Sequence, residues 1–246
     1  MAPPLFEPRS QCPSGLRGFL PDQRRRFPKF IRNAFVRMAP LNEVARLDEE
    51  ELLERCRRGD LDAFNAFVAT YQEQVYNLCL RMLGSPPAAE DAAQETFLSA
   101  YRKISSMRGA SARSWLLRIA ANACIDELRR RKRRPQVSLD APVPSQEDER
   151  TLDLPDAAQG PEQLAVRSEL WRALQDELLR LPEDQRLAIV LCDIEGLSYE
   201  EIQVTMGGSL GTVKSRISRG RARLRAALRA RPELFGDVIR HSEQTH

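Results

Sequence analysis

Apolar residues recur every three or four positions between Leu61 and Leu83, which is the spacing of one face of a helix. The members of this face are Phe64, Phe67, Val68, Tyr71, Val75, Leu78, Cys79 and Met82. A helix of this kind must bury its apolar face against neighbouring elements. Ala, Leu, Arg and Glu dominate the rest of the chain, and these residues also favour helices. The sequence therefore predicts an all-α protein.

Gly and Pro residues divide the chain into two groups of helices. The first group, residues 48–134, contains predicted helices at Asp48–Arg58, Leu61–Leu83, Ala88–Ile104 and Arg113–Arg134. The second group, residues 161–231, contains predicted helices at Glu162–Arg180, Glu183–Ile194, Ser198–Met206 and Leu210–Ala230. Between them, residues 135–160 hold four prolines, several acidic residues and little periodicity, as a flexible linker does. We expect two small helical domains joined by that linker.

The two ends of the chain carry no such periodicity. Residues 1–47 are rich in proline and include a run of three arginines at positions 24–26, so we expect a disordered extension. Residues 232–246 form a short tail. We assign neither segment to a domain.

Several classes of protein are disfavoured by what the sequence lacks. Its five cysteines show no Cys-x-x-Cys or zinc spacing, so we expect no metal, no cofactor and a reducing cytoplasm. No apolar stretch approaches the roughly 20 residues of a membrane span, so we expect no membrane insertion. Both histidines, His241 and His246, lie in the tail, and we find no phosphate loop or nucleophile elbow. An enzyme is therefore the weakest hypothesis.

A helix-turn-helix is predicted from Ser198 to Arg223, where a short helix, a Gly-bearing turn and a longer basic helix follow one another. No acidic residue occurs between Glu201 and Glu233, so no neighbour in the sequence neutralises the basic side chains. A solvated charged helix would show some of these features too. The unbroken cationic face after a helix and turn favours binding to DNA.

The first domain carries a second, weaker signal for nucleic acid. Trp115, Arg118 and Asn122 precede a run of basic residues at positions 129–134 on one predicted helix. Arginine can hold phosphates, and asparagine can pair with the edge of adenine. The alternatives are a localisation-like or RNA-binding patch, and a tryptophan that belongs to the core.

Three motifs in this order resemble the extracytoplasmic-function (ECF) family of bacterial sigma factors, over about residues 48–231. The first is Ala89-Glu90-Asp91-Ala92-Ala93-Gln94-Glu95-Thr96-Phe97. The second joins Met107-Arg108-Gly109 to the segment from Trp115 to Asn122 and on to Arg134. The third pairs Gly196-Leu197-Ser198-Tyr199-Glu200-Glu201-Ile202 with Gly211-Thr212-Val213-Lys214-Ser215-Arg216-Ile217.

The resemblance implies a detachable initiation subunit of RNA polymerase with no catalytic site of its own. It implies that Asp91, Gln94 and Glu95 dock on the core polymerase, and their spacing does present one polar acidic patch. It implies promoter DNA as a second partner, and an anti-sigma factor as a further one.

The resemblance also assigns residues to the two promoter elements. The residues for the minus-ten element are Met107, Arg108, Trp115, Arg118, Asn122, Arg129, Arg130 and Arg133. The residues for the minus-thirty-five element are Ser198, Tyr199, Thr212, Lys214, Ser215, Ser218 and Arg219. The sequence departs from the family at four places, of which the first is a loop before Trp115 that is one residue shorter than in typical members. Met107 replaces a common aromatic residue, Ser218 replaces a bulkier side chain, and Gly207-Gly208 loosens the turn.

One rival hypothesis is a free-standing transcription regulator that uses only the carboxy-terminal helix-turn-helix. Such a protein would bind duplex DNA without polymerase. The other rival is a nucleic-acid-processing enzyme.

Overall fold

A computed structural model describes residues 48–107, 111–133 and 161–235 of the chain. The predicted extension at residues 1–47, the predicted linker at 135–160 and residues 236–246 of the tail lie outside the described residues. Arg108, one of the predicted DNA-binding residues, also lies outside them.

The first helical unit contains four α-helices in the described ranges: α1 (Glu49–Arg57), α2 (Leu61–Leu83), α3 (Pro86–Lys103) and α4 (Ala112–Arg133). Asp48 caps α1, because its carboxylate accepts a hydrogen bond from the Glu51 backbone N–H at 2.8 Å. Gly84 ends α2 with φ 69°, a left-handed conformation that favours glycine. A short 3-10 turn, Ile104–Ser106, follows α3.

The second unit contains α5 (Pro161–Arg180), α6 (Glu183–Ile189), a π-helical turn (Val190–Ile194), α7 (Tyr199–Met206) and α8 (Leu210–Arg229). Gly207 and Gly208 both have positive φ and form the turn between α7 and α8. Every element in the described part of the chain is helical, so the predicted all-α class is confirmed. The helix-turn-helix lies where the sequence predicted it.

The first unit buries the apolar face that the spacing between Leu61 and Leu83 predicted. Phe67, Leu78 and Met82 of α2 are fully buried with Leu116 and Leu117 of α4. In the second unit the large buried side chains are Leu178, Leu187, Ile189, Leu191, Leu197, Ile202 and Ile217. Gly220 lets α8 approach α6 closely, since a Cβ there would lie 2.8 Å from Ile189 Cγ1. Substitution at that glycine would push the two helices apart.

The two units also pack against each other. Leu179 of α5 lies over Gly84, where a Cβ would come within 2.5 Å of Leu179 Cδ1. Gln175 Nε2 donates a hydrogen bond to the Leu80 carbonyl at 3.1 Å. The Arg81 guanidinium lies 5.1 Å from the centre of the Trp171 ring. The sequence predicts two domains and a linker, and no pattern in it indicates this contact.

In the described part of the chain, no helix combines the length and the apolar composition needed to cross a membrane.

Candidate nucleic-acid interface

One face of α4 carries a stripe of polar residues from the predicted set. Arg118, Asn122, Arg129 and Arg133 follow one another at intervals of four or seven residues, so they share a face. Asn122, Arg129 and Arg133 are exposed, and Arg118 is half-buried. The stripe extends about 22 Å along the helix at a rise of about 1.5 Å per residue. It offers a long cationic surface with one amide on it.

The basic end of α4 is partly neutralised by carboxylates. The ion pairs there are Arg129 with Asp126 at 3.4 Å, Arg130 with Glu127, Arg131 with Glu127 at 2.9 Å, and Lys132 with Glu183 at 3.0 Å. Exposed pairs of this kind contribute only about 0–1 kcal/mol each. These basic side chains can therefore exchange a carboxylate for a phosphate at little cost.

Two of the predicted minus-ten residues belong to the core of the first unit. Met107 is 4% exposed and Trp115 is 7% exposed. Both side chains are part of the buried hydrophobic core. Of the two interpretations of Trp115 given by the sequence, a DNA contact or a core residue, its burial agrees with the core residue.

The exposed face of α8 carries most of the residues predicted for the second element. Thr212, Lys214, Ser218 and Arg219 are exposed, and Ser215 is half-buried. Ser215 Oγ accepts a hydrogen bond from Arg219 Nε at 3.0 Å, which holds the guanidinium along the helix. On the opposite face Val213, Ile217 and Leu224 are buried. The helix thus separates an apolar inner stripe from a polar outer one.

Ser198 and Tyr199 connect α7 to its surroundings. Ser198 caps α7, with its Oγ accepting from the Glu201 N–H at 3.2 Å, and Glu201 Oε2 accepts from the Ser198 N–H at 2.8 Å. The Lys214 ammonium lies 6.0 Å from the centre of the Tyr199 ring. These contacts fix the start of α7 beside the first turns of α8.

Two arginines of α8 are neutralised by tertiary contacts that the sequence analysis missed. Arg216 Nε lies 3.1 Å from Asp184 of α6, and Arg221 Nε donates to Asp193 of the π-helical turn at 3.0 Å. The hydrogen bond to Asp193 raises the pKa of Arg221 further above its usual range. The sequence-based prediction concerned acidic neighbours in the sequence only, and both of these carboxylates come from earlier elements of the chain. Tertiary contacts therefore neutralise two arginines that have no acidic neighbour in the sequence.

The cationic outer face of α8 is therefore narrower than the sequence suggested. Lys214, Arg219, Arg223 and Arg225 are exposed, and no described carboxylate forms an ion pair with them. These four basic side chains can therefore meet a polyanion without first losing an ion pair to a described carboxylate.

A third surface lies on α3. Asp91 and Glu95 are exposed and Gln94 is half-buried, so the predicted acidic patch does face solvent. Leu98, one turn further along, is 47% exposed. The patch therefore joins charge to an apolar side chain, as protein interfaces commonly do.

Comparison with known proteins agrees with this arrangement. The family model for Sigma-70 region 2 matches residues 67–134, and the model for Sigma-70 region 4 matches residues 171–224. The ECF RNA polymerase sigma factor SigW of Bacillus subtilis is 42% identical over 180 residues, covering 72% of this chain and 95% of SigW. The chain belongs to the ECF family of sigma factors. The predicted family is thereby confirmed.

Further relatives agree with this assignment. The RNA polymerase sigma-H factor of Pseudomonas aeruginosa is 39% identical over 181 residues, covering 73% of this chain and 93% of that protein. The sigma factor RpoE of Bartonella quintana, solved in complex with the anti-sigma factor NepR, shares 27% identity and a TM-score of 0.52. That match covers 68% of this chain and 96% of RpoE. CnrH supports the fold, with 24% identity and a TM-score of 0.51. The match covers 74% of this chain and 97% of the CnrH chain.

The prediction of a sigma factor is confirmed, and the free-standing regulator is not favoured. That rival used only the helix-turn-helix, whereas region 2 is matched as well. The assignment of individual residues to DNA or polymerase stays a prediction, as do the domain boundaries at residues 48–134 and 161–231.

We expect Arg221→Ala to destabilise the protein by about 1–3 kcal/mol, because Asp193 is largely buried and would lose its charged partner. Arg223→Ala removes the same charge from an exposed position of the same helix and should change stability by less than about 0.5 kcal/mol. Urea unfolding followed by circular dichroism measures both. Equal stability of the two variants would contradict a structural role for Arg221.

Proposed function

We propose that the polar stripe of α4 and the outer face of α8 are the two promoter-binding surfaces of this sigma factor. The supporting observation is that each matched sigma region contains one helix whose apolar side is buried and whose basic side is exposed. The α4 stripe binds the minus-ten element, and α8 enters the major groove at the minus-thirty-five element.

Melting of the minus-ten element follows from the same arrangement. Once the strands separate, bases can be held by stacking and by hydrogen bonds to their edges, which offsets the few kcal/mol lost on unstacking each base. Asn122 is the exposed amide of the stripe, and Arg118 and Arg129 flank it on the same face. We assign the base contact to Asn122 and phosphate contacts to the arginines.

We assign docking on the core polymerase to the α3 patch of Asp91, Gln94 and Glu95. The two exposed carboxylates suit a basic partner surface, and Leu98 beside them adds apolar area. The chemistry of transcription then belongs to the core enzyme, and the sigma factor supplies recognition and melting in the cytoplasm.

An anti-sigma factor is the remaining proposed partner. The RpoE structure from Bartonella quintana contains one, and its fold covers most of this chain. A protein that occupies the α3 patch or the DNA-binding faces would hold this sigma factor inactive.

Run-off transcription tests the function directly. Purified core polymerase should transcribe the cognate promoter templates only when this protein is added, because core alone has no promoter-recognition subunit. The control is duplex binding by the protein without core. Duplex binding with no initiation would favour the free-standing regulator instead.

Arg219→Ala should weaken binding to a minus-thirty-five duplex by about 1–3 kcal/mol if Arg219 contacts a base. The matched control is Arg216→Ala, which removes the same charge from the same helix, where Asp184 already neutralises it. Fluorescence anisotropy with a labelled duplex measures both affinities. An equal loss in the two variants would mean that net charge, and not a specific contact, explains the effect.

Glu95→Lys should abolish co-purification with core polymerase, since it places a cation where the patch meets a basic partner. Glu50→Lys makes the same charge change at an exposed position of α1 and should leave co-purification intact. Both variants should keep the wild-type circular dichroism spectrum. Retained core binding by Glu95→Lys would remove α3 from the docking surface.

A further inference from the structure

The contact between the two units contains a buried carboxylate. Glu195, at the end of the π-helical turn, is 7% exposed. Gln74 of α2 donates a hydrogen bond to Glu195 Oε2 at 2.6 Å. The Arg113 guanidinium of α4 lies 3.3 Å from the same oxygen and also donates to the Glu195 carbonyl. These partners of Glu195 all belong to the first unit.

Glu195 and its neighbour Arg81 are both charged groups buried from water. Burial raises the pKa of Glu195, while Arg81, Gln74 and Arg113 pull it back down. Arg81 is itself buried, and the loss of water lowers its pKa. A buried carboxylate is costly unless it is paired and hydrogen-bonded. Each charge in this cluster would regain water if the units separated, so the contact can open more readily than an apolar core.

A further hydrogen bond joins α4 directly to the first helix of the helix-turn-helix. Ser114 Oγ, one residue before Trp115 in α4, donates to Glu201 Oε1 of α7. The start of the minus-ten helix therefore touches the first helix of the helix-turn-helix. The DNA-facing residues Lys214, Ser218 and Arg219 remain exposed in this arrangement.

This arrangement is too short to span a promoter. The two elements lie about 25 base pairs apart, which is about 85 Å of duplex at about 3.4 Å per base pair. Ser114 and Glu201 hold α4 and α7 together at one point. The length of α4 from Ser114 to Arg133, added to the length of α7, the turn and α8 from Glu201 to Arg219, is about 65 Å even if the two are laid end to end. The closed molecule can engage either element, but it cannot engage both.

We propose that Glu195, held by Gln74, Arg81 and Arg113, is a latch that keeps the free sigma factor closed and prevents it from binding both promoter elements at once. The proposal rests on the assignment of α4 and α8 to the two elements. Release of the latch exposes Glu195 to water and lets the units separate to the spacing of the promoter.

Two substitutions with opposite charge changes test the latch. Glu195→Ala removes an anion and Arg113→Ala removes a cation, yet both break the same contact. Glu200→Ala is the matched control, because Glu200 is exposed and adjacent in the chain to the helix-turn-helix start. Each variant is made in a Cys12→Ser background, so that spin labels attach only to the introduced cysteines. The other four cysteines are buried and do not compete for the label. Spin labels at Ala69→Cys and Val204→Cys, both exposed, then report the distance between the units.

We expect the label distance to shift to longer values in Glu195→Ala and Arg113→Ala and to stay unchanged in Glu200→Ala. Without core, the affinity for a fork probe that carries both elements should rise in both latch variants, on the order of tenfold, as for a competent state populated at about 10%. Affinity for a duplex that carries the minus-thirty-five element alone should not change, because the outer face of α8 is already exposed.

Wild-type label distances in the two latch variants would overturn the proposal. A longer distance with unchanged affinity for the fork probe would also overturn it, since the contact would then not control DNA binding. A gain in only one of the two variants would show a charge effect and refute the latch. A longer distance and tighter fork binding in a protein that fails in run-off transcription would support the latch while overturning the proposed function.

Discussion

Burial of the inner faces of α4 and α8 determines which side chains of this protein can reach DNA. Leu116 and Leu117 fix the rotation of α4, while Val213 and Ile217 fix that of α8. Gly220 allows α8 to lie close against Ile189. The exposed residues of both helices are those left over once these faces are buried. Substitutions in either core would therefore alter promoter binding through rotation of a helix and without touching DNA.

Charge on α8 is distributed by tertiary structure more than by local sequence. Arg216 and Arg221 support the fold through Asp184 and Asp193, whereas Lys214 and Arg219 are exposed and form no ion pair with a described carboxylate. A run of similar basic residues thus contains two functional classes. Those paired with a carboxylate are already neutralised, and those without such a pair can release counterions to bind phosphate.

The contact between the two units combines apolar packing, such as Leu179 over Gly84, with buried charges around Glu195, and those charges fit a protein that changes shape during its work. A large apolar interface would hold the units permanently, because its separation would expose apolar surface to water. When the contact opens, Glu195 and Arg113 instead lose their ion pair and are hydrated by water. The sigma factor can thus be compact when free and extended on a promoter, with the core polymerase supplying the binding energy for the change.

The sequence by itself determined the helices, the helix-turn-helix and the family, because these depend on local spacing, capping residues and short motifs. The apolar spacing of α2 is a signal of that kind. Asp48 and Ser198 begin two of the predicted helices, and in the structure they cap α1 and α7. It also indicated the exposed faces of α4 and α8. Only the tertiary structure decided that Met107 and Trp115 are buried, that Asp193 pairs with Arg221, and that Glu195 joins the two units. Those contacts connect residues far apart in the chain, and their partners depend on how whole helices pack, which no local pattern encodes.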